Sequence, residues 1–380
     1  MTDPQAGGLS LRPVDSRRTR DDFVRVPWAI YGDDPNWIPP LLFERKEVLA
    51  AKQPVFEHLD WQGWVAYRGG RAVGRITAQV DRLHLERHGD DTGFFGFIEG
   101  IDDGVLGALT GTAEAWLRDR GMRRVRGPFG FNINQEVGLL VEGFDTPPYF
   151  MMTHARPFYG PALEALGYAK AADMFAYLIS ANFQPPPVMR TLFRRLQRDV
   201  TIRPLDPKRK DADLEILRDV FNDAWADNWG FVPFTAREFH TIGHEMLMII
   251  PPDFIQIAEM KGEPVAFIVL LPNVNECIAD LDGRLWPGGW LKLLKRLKFG
   301  YPRTARIPLM GVRRRLHNTR YGPGLALSVV EALREPGLRK GLEEVEMSWI
   351  LETNEAMKNI IETLGGQVTK RYRVYDKGLS

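Results

Sequence analysis

Two apolar-rich runs, Trp64-Val-Ala-Tyr67 and Ala72-Val-Gly-Arg-Ile-Thr-Ala-Gln-Val80, flank Arg68-Gly-Gly70 and predict a β-hairpin. Gly93–Ile98 predicts a further strand, and apolar spacing over Leu106–Arg120 predicts a helix that stops at Gly121. A short strand Arg123–Gly127, a helix Pro161–Leu166 ended by Gly167, and a strand Met174–Ile179 complete the first half. Pro185-Pro186-Pro187 then opens a linker, and Val188–Arg198 reads as a basic bridging helix. After it the plan starts over. Val200–Arg203 is a strand, Leu214–Trp225 a helix, and Phe254–Glu259 with Val265–Leu271 a hairpin turned at Met260-Lys-Gly-Glu263. The last quarter reads strand Ile307–Val312, turn His317–Gly324, helix Leu325–Leu333 and strand Val345–Leu351. A helix Asn354–Leu364, a Gly365-Gly366 stop and a strand Lys370–Tyr375 follow. Both halves share the order hairpin, strand, helix, strand, helix, strand, which is the pattern of an internal duplication. The prediction is α/β (α+β, mixed sheet): one domain over 1–182, a linker over 183–199, and a second domain over 200–380. Residues 1–20, with the basic run Arg17-Arg-Thr-Arg20, read as a flexible start.

Composition narrows the partners. The chain has 380 residues, 44% hydrophobic and 26% charged, enough for two or three domains with ordinary cores. A net charge of +1 gives no global attraction to nucleic acid. One cysteine, Cys277, excludes an internal disulfide framework and fits a reducing compartment. The first residues lack an apolar signal core, and no apolar run nears the roughly 20 residues of a membrane span. A cytoplasmic protein, soluble or peripheral on the inner membrane, is expected.

The glycine turn before Leu325 carries chemistry. A turn of this kind feeding a helix start presents backbone N–H groups at the positive end of the helix dipole, which is a phosphate cradle. It points to a nucleotide-bearing ligand. Arg313-Arg-Arg315 lies just upstream and suits phosphates, or an acidic carrier protein, as well as it suits a solvated basic edge.

This order of elements, with Gly322-Pro-Gly-Leu-Ala-Leu327 as a Gly-x-Gly-x-x-Leu turn, resembles the GNAT superfamily of N-acyltransferases. Those enzymes move an acyl group from a coenzyme A thioester to an amine. The resemblance covers both halves, giving two tandem GNAT-like domains, but only the second carries the cofactor turn. Asn354 matches a common family asparagine, and Leu364-Gly-Gly366 matches the stop after its helix. Thr319 stands where the family has Gln or Arg, with Arg320 beside it as a substitute. In the first half Ile101-Asp-Asp-Gly104 replaces the turn, and two carboxylates there would repel a pyrophosphate. Over its whole length the chain is similar to the bacterial ceramide synthases, which N-acylate a long-chain sphingoid base. The motifs that carry this include Gly93-Phe-Phe-Gly-Phe97, Gly127-Pro-Phe-Gly-Phe-Asn-Ile-Asn-Gln-Glu136, Gly143-Phe-Asp-Thr-Pro-Pro148 and Asn228-Trp-Gly-Phe-Val-Pro233.

The resemblance implies acyl-coenzyme A, or an acyl carrier protein, as donor and no metal. It places the cofactor at Met310, Gly311, Val312, Thr319, Arg320, Tyr321, Gly322, Pro323, Gly324 and Asn354. N-acylation needs an uncharged amine, a polarised thioester carbonyl and a proton for the leaving thiolate. Backbone N–H groups around Met310–Val312 would serve the carbonyl if this strand splays from its neighbour. Glu352, Glu136, His154 and Asp173 are the candidate bases, and Tyr372 or Tyr375 would protonate the thiolate. Asn132, Asn134, Tyr159, Asp173 and Trp229 are expected near the acceptor, whose pocket the first domain would complete.

His240 and His244 lie one helical turn apart beside Glu245, a spacing that holds a metal where a third ligand exists; no third ligand motif follows. Gly289–Phe299, inside an insertion over 284–300, carries four cations and no acid. If helical, it places Trp290, Leu293, Leu294 and Leu297 on one face. That is the pattern of an interfacial helix on an anionic membrane, or of a surface helix with a solvated basic side. Three readings follow: transfer to a long-chain sphingoid base, transfer to a small polar amine, and a non-catalytic module that binds acyl-coenzyme A or lipid.

Overall fold

The computed structural model describes residues 8–187, 190–191, 196, 198–319 and 321–380. Most of the expected bridging helix Val188–Arg198, and Arg320, lie outside the described residues. The chain forms two compact units, neither contiguous in sequence. Unit 1 comprises Met1–Asp173, Ile278–Gly289 and Lys370–Ser380; unit 2 comprises Met174–Cys277 and Trp290–Thr369. Compactness therefore divides the chain elsewhere than at 182 and 200, because strand residues Met174–Ser180 and Lys370–Gly378 belong with the half they do not follow in sequence.

The strands are β1 (Ser10–Pro13), β2 (Leu59–Arg68), β3 (Arg71–Asp81), β4 (Thr92–Gly100), β5 (Arg124–Gly127), β6 (Leu139–Glu142) and β7 (Ala169–Ser180). They continue with β8 (Val200–Pro204), β9 (Ile255–Met260), β10 (Glu263–Pro272), β11 (Thr304–Val312), β12 (Glu344–Leu351) and β13 (Gln367–Gly378).

In unit 1, β1 to β4 form an antiparallel run and β4 pairs with β5 in parallel across the helix Asp103–Arg118. β13 then pairs antiparallel with β5, through Tyr375 and Gly127, and with β6, through Tyr372 and Leu140. Residues 8–20 include regular structure, unlike the flexible start expected over 1–20 from its polar composition; residues 1–7 lie outside the described residues. β1 pairs with β2, and the run Arg17–Arg20 is the first turn of the helix Arg17–Tyr31, closed by a capping box between Ser16 and Thr19. That helix buries Phe23, Val24, Val26, Ile30 and Tyr31 in a core shared with Val65 and Phe131.

In unit 2, β8, β9, β10 and β11 are antiparallel neighbours, β11 pairs with β12 in parallel, and β12 pairs antiparallel with the Met174–Ser180 part of β7. Val265–Leu271 is buried throughout, as a continuous apolar run in a central strand should be. The helices Lys210–Ala224 and Gly322–Arg339 both pack against β10 and β11.

Candidate active site

The parallel pair in unit 2 is incomplete. β11 and β12 are in register from Thr304↔Glu344 to Ile307↔Met347, and there the pairing stops. Beyond it β11 stays with β10 as far as Val312↔Ala266, while β12 stays with β7 at Ile350↔Phe175 and Leu351↔Met174. Pro308 is the first residue past the last pair and has no N–H to offer a ladder. The facing edges of Leu309–Val312 and Ser348–Leu351 are thus strand edges without a strand between them. Such edges bind extended ligands by main-chain hydrogen bonds. Within β11, the carbonyl of Met310 accepts the indole N–H of Trp225 at 2.8 Å, and Val312 O lies 2.6 Å from His317 Nε2. Gly311 leaves room for Phe267 and Ala224, whose atoms lie 3.0 and 3.1 Å from where its Cβ would stand.

The turn after β11 is tighter than the sequence predicts. A one-turn helix, Arg314–His317, precedes it, and the long helix begins at Gly322 rather than Leu325. Thr319 Oγ1 donates to Leu316 O at 2.8 Å and accepts from Tyr321 N at 3.2 Å. A Cβ on Gly322 would lie 2.5 Å from Leu316 O and 2.6 Å from His317 O, so only glycine fits. Among the described residues no side chain caps this 18-residue helix, and Pro323 in its first turn lacks an N–H. The positive end of such a helix suits an anion. The basic run upstream is not free for phosphates: Arg313 pairs with Asp219, Arg314 with Asp223 and Asp227, and Arg315 with Glu263. Asn354 caps the helix Glu355–Thr363, its side chain accepting from Met357 N at 3.2 Å. Glu352 follows β12 directly and is half-buried, its backbone carbonyl accepting from Lys358 Nζ at 3.0 Å. Trp229, also half-buried, sits in the loop between the helices Lys210–Ala224 and Ala236–Met246.

Sequence reasoning missed a buried ionic network where the strands part. Arg306 is 2% exposed and Glu346 fully buried. Arg306 Nε donates to Ser348 Oγ at 2.8 Å, and Ser348 Oγ donates to Glu346 Oε1 at 2.7 Å. The guanidinium also lies 4.7 Å from the ring of Trp349. The signal was present as charged residues set in the apolar runs Ile307–Val312 and Val345–Leu351 or just before them, where only a satisfied partner makes a charge tolerable.

Unit 1 has the same parallel strands with the opening closed. β4 and β5 pair only from Thr92↔Arg124 to Phe94↔Arg126. The chain after β5 then lies along β4: Phe129 N donates to Phe95 O at 2.8 Å, and a Cβ on Gly96 would lie 1.7 Å from Phe129 O. Gln79 Nε2 donates to the carbonyls of Phe129 and Phe131, both at 3.2 Å. The helix after β4 is capped by Asp102, which accepts from Val105 N at 2.9 Å and pairs with Arg68. Strand opening and helix terminus, both open in unit 2, are filled here by the chain itself.

The other expected site residues divide accordingly. Asn132, Asn134 and Glu136 share the loop after β5; Asn132 Oδ1 accepts from Asn134 N at 3.0 Å, and Glu136 pairs with Arg45 at 2.6 Å. His154 Nε2 lies 2.9 Å from Asp34 Oδ2, its ring 5.2 Å from that of Tyr31, and its Nδ1 is buried without a hydrogen-bond partner. Burial pushes the His154 pKa below the ordinary imidazole value against the opposing pull of Asp34. Tyr159 is committed to the backbone of Gly100, accepting from its N–H at 2.9 Å and donating to its carbonyl at 3.0 Å. Asp173 is 3% exposed and held by Arg373 through two hydrogen bonds of 2.8 and 3.0 Å. Burial raises its pKa, but Arg373 and Lys170 outweigh that and keep it below the usual carboxylate value. Tyr372 is fully buried in β13. Glu136, His154, Asp173 and Tyr372 thus belong to unit 1, while Glu352 and the Gly322–Gly324 turn belong to unit 2.

His240 and His244 gain a third neighbour that the sequence did not reveal. Asp211 Oδ1 lies 2.7 Å from His244 Nε2, and the ligand atoms of the three residues fall within 4.8 Å of one another. The group is largely exposed, and His240 Nε2 also lies 3.3 Å from Glu215. Gly289–Phe299 is helical and buries none of its side chains: Trp290, Leu291, Leu294 and Phe299 are exposed, and Leu293 and Leu297 are half-buried. Among the described residues no helix is long and apolar enough to cross a membrane.

No family model matches the chain. It is 52% identical over 357 residues to Protein YghO of Escherichia coli (strain K12), covering 93% of this chain and 92% of that protein. It is 43% identical over 375 residues to the bacterial ceramide synthase of Caulobacter vibrioides (strain NA1000 / CB15N), covering 98% of each. Among solved structures, a tandem GNAT protein from the clavulanic acid biosynthesis pathway superposes with a TM-score of 0.58 at 13% identity, over 98% of this chain and 99% of that one.

Proposed function

The chain belongs to the family of the bacterial ceramide synthase, tandem GNAT-fold N-acyltransferases, and we propose from that premise that it transfers a long acyl group from a coenzyme A thioester to a long-chain sphingoid base. The observation that carries the donor half of this reading is the parting of β11 and β12 after Ile307 and Met347, together with a helix terminus that no side chain among the described residues caps. The pantetheine arm is an extended chain with amides, suited to lie between Leu309–Val312 and Ser348–Leu351 as an added strand. Its pyrophosphate takes the backbone N–H of Gly324 and the helix dipole behind it, the Gly322 N–H already donating to Thr319 O at 3.3 Å. Since Arg313, Arg314 and Arg315 are answered by carboxylates, the helix terminus rather than these three arginines carries the phosphate contact.

The amine attacks as the free base and the thiolate leaves with a proton, so one group must take a proton near the parted strands. Glu352, on the residue that follows β12, is the carboxylate we assign to that step. The exposed apolar side chains and four cations of Gly289–Phe299 suit contact with an anionic bilayer, where a sphingoid base resides. An acyl carrier protein is an alternative donor carrier for the same thioester.

The test is coenzyme A release by purified protein with acetyl-, palmitoyl- and longer acyl-coenzyme A, each with and without sphinganine in detergent. Release that needs both a long donor and the sphingoid amine supports the reading. Release with acetyl-coenzyme A and small polar amines alone assigns a different acceptor. Acyl-coenzyme A binding without release under any condition overturns catalysis of this kind.

A further inference from the structure

The end of the parted strands opens onto a groove in unit 2. It runs between the second half of the Gly322–Arg339 helix and the strands, walled by Leu270, Ile307, Val330, Leu333, Val345 and Met347. We propose that this groove holds the hydrocarbon tail of the acyl donor and sets its length. The proposal rests on the reading that the thioester lies between the parted strands.

Two of the walls, Ile307 and Met347, are the last pair before β11 and β12 separate. A thioester lying between the strands with its phosphates at Gly322 points its acyl group toward that pair. A chain longer than acetyl must then pass to one face of the sheet. Side chains alternate across a strand, so Ile307, Val345 and Met347 face the groove while Arg306, Glu346 and Ser348 face the other way. The far face offers a buried, hydrogen-bonded ionic network, against which methylenes gain nothing and deprive charges of partners. The near face offers aliphatic side chains, where each buried methylene is worth roughly fourfold in affinity.

The lining is almost wholly apolar and the free space narrow, so a tail must spread the walls to enter. Gly337 lets Leu342 pack close to the helix in the lining: a Cβ there would lie 3.2 Å from Leu342 Cδ1. Arg334 contributes its aliphatic stem to the lining while Glu331 holds its guanidinium at 2.7 Å.

The experiment compares binding of coenzyme A, octanoyl-coenzyme A and palmitoyl-coenzyme A by calorimetry, below their micelle concentrations, to the full chain and to two variants. Val330→Trp fills the groove and Leu333→Ala enlarges it. In the unaltered protein palmitoyl-coenzyme A should bind at least a hundredfold tighter than coenzyme A. Val330→Trp should shrink that ratio tenfold or more, with octanoyl-coenzyme A affected less. Leu333→Ala should shift preference toward longer chains, and its opposite direction separates chain-length control from poor folding. An undiminished ratio in Val330→Trp, or no ratio in the unaltered protein while coenzyme A binds, overturns the groove alone. If neither coenzyme A nor any acyl thioester binds, the placement of the thioester falls as well.

Discussion

Trp225 donates its indole N–H to the carbonyl oxygen of Met310 at 2.8 Å, tying the end of the Lys210–Ala224 helix to the open stretch of β11. The bond occupies a carbonyl beside the proposed thioester and sets the tilt of the strand that presents it. Trp225→Phe keeps most of the packing on Phe221, whose ring lies 5.2 Å away, and removes the donor. An unsatisfied carbonyl costs about 1–3 kcal/mol. The expected outcome is a modest fall in thermal midpoint with a larger fall, tenfold or more, in kcat for N-acyl transfer. Equal activity in the two proteins would show that Met310 needs no such anchor.

Gly322→Ala should strike the donor site alone. The added methyl meets two backbone oxygens, which can retreat only by opening the turn. The KM for acyl-coenzyme A is expected to rise at least tenfold, about 1.4 kcal/mol, with little change in that for the amine. Steady-state kinetics with each substrate varied in turn checks this.

Acid should loosen unit 1 before it protonates the carboxylates. The pKa values of His154 and His84 are both depressed from 6.5, burial outweighing the attraction of Asp34 and Asp90. Arg156 and Lys370 add repulsion to a proton on His154. A depressed histidine takes up its proton more readily unfolded than folded, so its stabilising contribution is present above pH 6.5 and is lost as pH falls below that value toward the folded pKa. Thermal midpoints measured from pH 7.5 to 5.0 should therefore decline below 6.5. His154→Gln should flatten the decline; an unchanged slope would assign it elsewhere.

Asp173 is a test of structural against catalytic roles. Removing one partner of a buried ion pair costs up to about 3–5 kcal/mol, and Arg373 would keep only its longer contact to Glu164 at 3.4 Å. Asp173→Asn should unfold in less denaturant yet keep the kcat of the protein that remains folded. Loss of kcat at unchanged stability would return Asp173 to the acceptor's surroundings. Glu352→Gln should give the reverse, with folding intact and turnover down by a hundredfold or more.

The helix Gly289–Phe299 predicts a salt-dependent affinity for anionic vesicles. Each basic residue near such a surface is worth about 1 kcal/mol, and a reversal to acid about twice that. Lys295→Glu should lower binding to phosphatidylglycerol vesicles roughly thirtyfold, and Trp290→Ala should lower it at every ionic strength. Cosedimentation with neutral and anionic vesicles separates the two effects.

Local chemistry was legible in the sequence, and pairing across long separations was not. The Gly322-Pro-Gly324 turn and the order of strands and helices follow from neighbouring residues. The helix start, three residues earlier than expected, came from backbone crowding at Leu316 and His317 that no pattern encodes. Asp173 looked chemically active because its partner, Arg373, stands 200 positions away. Likewise Gly127–Glu136 looked like a polar site loop, when part of its purpose is to lay Phe129 along β4. The helix Arg17–Tyr31 was hidden by its arginines, although Ser16 and Thr19 carried its capping signal.

The placement of β13 has a consequence for biosynthesis. The ribosome makes β5 and β6 early, yet their neighbour in the sheet, Arg371–Gly378, emerges only after every residue of unit 2. Until then the edge of β5 waits uncovered, an adhesive border. Unit 2 is complete in sequence by Thr369. The half of the protein that is translated first is thus the half that finishes last. A nascent chain stalled before residue 370 would be a client for chaperones rather than a shorter enzyme.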